Sequence, residues 1–188
     1  SENDTTTPSS GPPPSSRSGC ELIEIQVTPP PWACRPITKP DCGSPLRNVI
    51  TKNRAVSDFY AAAICHKVFE RFPALRLASV ENGASWIPDL LHRLDDAANR
   101  NPGYFAEHPN ETFGEHVWVT PFWEDDVPGL LGVVRTDRLL LGSDWPHAEG
   151  TRRPMDFVTE TLAGLSEEDV ARIARVNASD LLGVPLPA

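Results

Sequence analysis

Two carboxylates in this chain stand where they could hold a divalent cation or move a proton. Asp144 lies in Gly142-Ser143-Asp144-Trp145-Pro146-His147, directly after the apolar run Leu139-Leu140-Leu141. Glycine gives the backbone room there, and proline fixes the turn that follows. Neutral imidazole is a good zinc ligand, which makes His147 a candidate neighbour of Asp144. Glu81 opens Glu81-Asn82-Gly83, directly after a second extended stretch. Two carboxylates on one rim suit metal binding or general acid–base work. Blander roles are open to each residue. Asp144 could cap a turn with His147 in solvent, and Glu81 could pair with an arginine or cap a helix near Ser85.

Such a rim needs parallel strands separated by helices. Apolar residues Val56, Phe59, Tyr60, Ala63, Ile64, Val68 and Phe69 predict a helix over Ala55–Phe72, stopped at Pro73. Leu75–Val80 reads as a strand. Ser85 is the expected cap of a helix to about Asn99, with Trp86, Leu90, Leu91 and Leu94 facing inward. Asn101-Pro102-Gly103 ends it, and a short helix is expected after Pro109. His116–Thr120 reads as a strand, Glu124–Val134 as a helix with acidic first-turn residues, and Arg138–Leu141 as a third strand. Helices follow over Pro154–Leu162 and from Ser166 to about Val176, with a last turn over Asn177–Leu182 closed by Gly183. Alternating strands and helices indicate parallel βα units and an α/β fold. Three strands are too few for a closed barrel, so this is either a small open α/β layer or part of a barrel. His116 opens the middle strand, at the end away from the chemistry, and is assigned to packing. His66 and His92 fall on helices and His108 in a loop, and none is given a chemical role.

Composition narrows the function. A net charge of -9 leaves no basic excess to neutralise phosphates, so nucleic-acid binding is not expected. The longest apolar run is far too short to span a bilayer, and no basic-then-apolar leader opens the chain, so no membrane partner and a cytoplasmic location are expected. Residues 1–19 are Ser, Thr, Pro, Gly and Asn with almost nothing apolar, and residues 20–48 carry Pro29-Pro30-Pro31 and further prolines. The Pro/Ser-rich segment 1–48 is therefore expected to be disordered or irregular, with the folded domain over 49–188. Cys20, Cys34 and Cys42 lack C-x-x-C spacing and read as reduced thiols, with a disulfide among them as the alternative. No G-x-S-x-G elbow or Gly-rich phosphate loop occurs.

From about residue 54 to 183 the chain resembles the amidohydrolase-related family of metal-dependent hydrolases and decarboxylases. The residues that carry the likeness are Val68-Phe69-Glu70-Arg71-Phe72-Pro73-Ala74-Leu75-Arg76, Glu81-Asn82-Gly83 with Trp86-Ile87-Pro88 and Arg93-Leu94-Asp95, Asp137 through His147, and Asn177-Ala178 with Leu181-Leu182-Gly183. The resemblance implies the C-terminal βα units of a (β/α)8 TIM barrel binding one divalent metal, commonly zinc, and acting on a small-molecule substrate. It implies Asp144 as metal ligand and catalytic residue, and Glu81 as a second catalytic residue where the family usually has histidine. His147 and Trp145 are expected to touch substrate or to stand behind the ligands.

The family's first strand carries an H-x-H or E-x-H pair, whereas residues 1–54 here contain no histidine. The metal site is therefore expected to be incomplete and the chain to be a fragment. The expected function is metal-dependent hydrolysis or non-oxidative decarboxylation. The alternatives are an inactive truncated remnant, which would self-associate as a homo-oligomer through open strand edges, or a small interaction module.

Overall fold

The computed structural model describes residues 49, 51–144 and 150–186. The expected disorder of 1–48, the cysteines at 20, 34 and 42, and the candidates Trp145 and His147 lie outside the described residues.

The first helical stretch is interrupted. Helix α1 runs Arg54–Cys65, Lys67 takes a left-handed conformation (φ 57°), and α2 covers only Val68–Arg71. The break sets Phe69 in the core, stacked on the His116 ring at 4.6 Å. Strand β1 (Leu77–Ser79) leads to α3 (Ile87–Arg100). Ser85 does not cap α3. Its hydroxyl instead accepts from Asn53 Nδ2 at 2.8 Å, and Pro88 starts the helix. The inward face Trp86, Leu90, Leu91 and Leu94 is buried as its spacing predicts.

Helix α4 (Pro109–His116) runs directly into β2 (Val117–Val119), so His116 closes a helix rather than opening a strand. Its Nδ1 lies 2.8 Å from the Leu75 carbonyl. The helix expected over Glu124–Val134 is a single turn, α5 (Val127–Leu130). Asp126 caps it, accepting from Gly129 N–H at 3.0 Å. The third strand is likewise shorter than its apolar run suggests. Thr136–Arg138 form a 3-10 turn, with Arg138 Nη1 2.8 Å from Asp137 Oδ2. Only Leu139 bridges to Val119, and Leu140 N–H donates to the Val119 carbonyl at 2.8 Å.

Phe157–Thr161 make a π-helical turn. Ser166 caps α6 (Glu167–Ala171) through the Asp169 N–H. A second π-helical turn, Arg172–Val176, continues into α7 (Asn177–Leu182), which Gly183 ends in the left-handed conformation (φ 65°).

The strands are parallel, with Leu77 opposite Val117 and Ser79 opposite Val119. Their side chains alternate between two faces. Leu77, Val117, Val119 and Leu139 join the main core with the helices. Tyr60, Trp86 and Phe113 fill its centre, with Tyr60 and Trp86 stacked at 5.2 Å. Burial pushes the Tyr60 phenol well above its ordinary range, outweighing the opposing effect of Ser79, so it stays neutral. On the other face Trp118 and Leu140 pack on Leu181 of α7, with the Arg138 guanidinium 4.3 Å above the Trp118 ring. Among the described residues no helix is long and apolar enough to cross a membrane.

Candidate active site

The carboxyl ends of β1, β2 and the Leu139–Leu141 segment release three loops on one side of the sheet. In parallel α/β folds that edge receives ligands, because the loops there vary without disturbing the strands. A cleft of about 180 Å³ opens between these loops. Glu81 comes from the first loop, Phe122, Trp123 and Glu124 from the second, and Gly142, Ser143 and Asp144 from the third.

The two carboxylates singled out by sequence therefore line one cavity. Each sits on unusual backbone, with φ of 58° at Glu81 and 54° at Asp144. Residues other than glycine pay roughly 1–3 kcal/mol for such conformations, which persist only where the surroundings impose them. At Glu81 the Asn82 side chain helps, donating from Nδ2 to the Val80 carbonyl at 2.8 Å. Glu81 makes no ion pair among the described residues and does not cap α3, so neither of its blander roles is realised there.

Every charged side chain among the described lining residues is acidic. That favours a cation, or a substrate group able to donate hydrogen bonds. The Phe122 and Trp123 rings are partly exposed on the second loop and add flat apolar surface. The described residues do not make a complete metal site. No three His, Cys, Asp or Glu side chains among them converge closely enough to hold an ion, and three protein ligands are the usual minimum for a catalytic zinc.

Sequence reading missed the second loop. Phe122 and Trp123 fall between the strand expected to end at Thr120 and the helix expected to begin at Glu124, and nothing in their spacing marks these residues as cleft wall. The loops are also packed more tightly than the sequence suggests. Gly83 has φ 59°, and a Cβ there would lie 2.6 Å from the Phe122 ring and 3.1 Å from Asp125 Oδ2. Gly83→Ala is expected to cost about 1–3 kcal/mol and to displace Phe122. Thermal unfolding with limited proteolysis of the second loop checks this, and an unchanged melting temperature would contradict it. Gly142 is equally confined, because a Cβ would overlap the Thr120 methyl.

The chain is similar to known proteins over most of its described length. The amidohydrolase family model matches residues 58–184. The crystal structure of amidohydrolase map2389c from Mycobacterium avium subsp. paratuberculosis K-10 superposes with a TM-score of 0.72 at 45% identity, over 78% of this chain and 37% of that one. A dihydroxybenzoic acid decarboxylase from Polaromonas sp. JS666, solved with manganese and the inhibitor 2-nitroresorcinol, superposes with a TM-score of 0.58 at 19% identity, over 76% of this chain and 47% of that one. The 5-carboxyvanillate decarboxylase of Sphingomonas paucimobilis gives 0.57 at 22%, over 71% and 41%. The last two likenesses concern the fold alone. The chain spans less than half the length of each of these proteins.

Proposed function

The chain belongs to the amidohydrolase family, and on that footing we propose that it carries the C-terminal part of a (β/α)8-barrel site for metal-dependent hydrolysis or non-oxidative decarboxylation of a small organic molecule. The observation that carries the reading is the placement of Glu81 and Asp144 in one cleft at the carboxyl ends of parallel strands. In this reading Asp144 is a metal ligand and Glu81 accepts or returns a proton at the substrate. Trp145 and His147, which follow Asp144 in the sequence, would contact substrate or support Asp144.

A divalent ion would supply charge stabilisation or a more acidic bound water. Manganese is the ion in the Polaromonas enzyme, and zinc is the expectation from resemblance. Ligands beyond Asp144 would have to come from outside the described residues. The carboxylate rim attracts a cation, the exposed Glu81 carboxylate is open to exchange a proton, and the Phe122 and Trp123 rings shield one side from water.

A second reading is favoured by the lack of a three-ligand group among the described residues. It makes the chain an inactive remnant that covers its open strand edges by self-association. A cytoplasmic location and a small-molecule substrate belong to the first reading. Metal analysis separates the two. The full chain, dialysed against zinc or manganese, is expected to retain ion at a fixed ratio, and Asp144→Ala to lose it. At a hundredfold excess of ion over Kd, binding should add about 2.7 kcal/mol of stability. Wild-type protein that retains no ion and sediments as an oligomer would establish the remnant.

A further inference from the structure

We infer that Asp125 is the positioning residue of the cleft, a clasp that fixes the Glu81 loop against the aromatic wall. One oxygen of its carboxylate, Oδ2, accepts two backbone N–H groups, from Ala84 and from Phe122, each at 2.8 Å. The Phe122 bond is local, spanning three residues. The Ala84 bond crosses 41 residues and joins the loop after β1 to the loop after β2. Ala84 stands three residues beyond Glu81, and Phe122 adjoins Trp123 and Glu124, so the clasp joins both walls.

The surroundings reinforce this arrangement. The first loop is tied to the core, because Trp86 Nε1 donates to the Gly83 carbonyl at 2.9 Å. Gly83 packs against the Phe122 ring with no room for a Cβ. Asp125 is itself held by backbone bonds, its N–H to the Phe122 carbonyl at 3.2 Å and its carbonyl to Val127 N–H at 2.9 Å. A connected path thus runs from the aromatic core through Gly83 and Ala84 to Asp125 and the rim aromatics. Charge-assisted bonds to a carboxylate are stronger than neutral ones, which suits a group holding one loop in a strained conformation beside another. The inference that this geometry serves catalysis rests on the proposed function, whereas the clasp does not.

The test compares the full wild-type chain with Asp125→Leu, which removes the acceptor at similar size, and Asp125→Asn, whose amide oxygen can still accept both bonds. Backbone hydrogen exchange is read over residues 80–86 and 120–126, with manganese affinity measured on the same proteins. Asp125→Leu should speed exchange about tenfold or more in both loops together, leave β2 and α3 protected, and weaken manganese binding about tenfold. Asp125→Asn should fall between. Faster exchange in 120–126 alone would reduce Asp125 to a local turn cap. Faster exchange throughout the chain, or unchanged manganese affinity beside opened loops, would also overturn the inference. Should Asp125→Leu not fold, the Asp125→Asn comparison over the two loops decides. If the wild-type chain binds no manganese, the proposed function fails and the exchange data alone decide the clasp.

Discussion

Trp86→Ala is expected to cost about 3–5 kcal/mol, a large share of the stability of a domain of this size. The indole is 3% exposed, stacks on Tyr60 at 5.2 Å and meets Phe113 edge-on at 6.0 Å. Truncation removes the ring and leaves a void that close-packed neighbours fill only in part. It also strands the Gly83 carbonyl, which accepts from Nε1 at 2.9 Å. Urea unfolding should show the midpoint falling by roughly 2 M without a change in slope. Trp86→Phe keeps most of the ring and loses the hydrogen bond, so it should cost about 1–2 kcal/mol and loosen the Glu81 loop selectively. A loss under about 1 kcal/mol for Trp86→Ala would mean that the aromatic cluster does not form the core described.

Asn177→Leu is the second large effect, expected at about 2–4 kcal/mol. Asn177 is 1% exposed, and its Nδ2 donates to the carbonyls of Thr136 at 2.7 Å and Leu139 at 2.8 Å. These bonds fasten the start of α7 to the turn that launches the third extended segment. Leucine fills similar space and takes the Asn177 donor from both carbonyls, leaving Thr136 with the longer 3.2 Å bond from Leu139 N–H. Asn177→Asp should behave differently with pH. Its carboxylate would face two carbonyl oxygens in a buried site, so its folded pKa would lie above the unfolded value of about 3.9. Protonated, the carboxyl can still donate one bond. The variant should therefore be least impaired below pH of about 4, and lose stability as pH rises through the folded pKa. Equal loss at all pH values would show that the side chain is not facing those carbonyls.

Helix α3 was legible because its inward face depends on a period of 3.6 residues, and a long amphipathic segment keeps that face wherever it packs. The Ser166 cap, the closing Gly183 and the break after Arg100 were legible for a similar reason, since each is settled within one turn of chain. Ala55–Phe72 was misread as one helix because its apolar spacing continues past Lys67, while the pull of Phe69 onto His116 comes from a residue far along the chain. The run Glu124-Asp125-Asp126 was misread as the first turn of a longer helix. Acidic residues there satisfy the helix dipole and an N-cap equally well, and only the fold decides which N–H groups come within reach.

The sequence by itself determined that carboxylates stand at positions 81 and 144 directly after apolar extended segments, and that the flanking helices present apolar faces. These are properties of neighbouring residues, written in spacing and side-chain chemistry. Only the tertiary structure decided that Glu81, Glu124 and Asp144 line one cleft, and that Asp125 holds two of its walls together. Strand register and a hydrogen bond across 41 residues set that geometry. Neither leaves a periodic signal, because both depend on which backbone groups meet after the chain has packed.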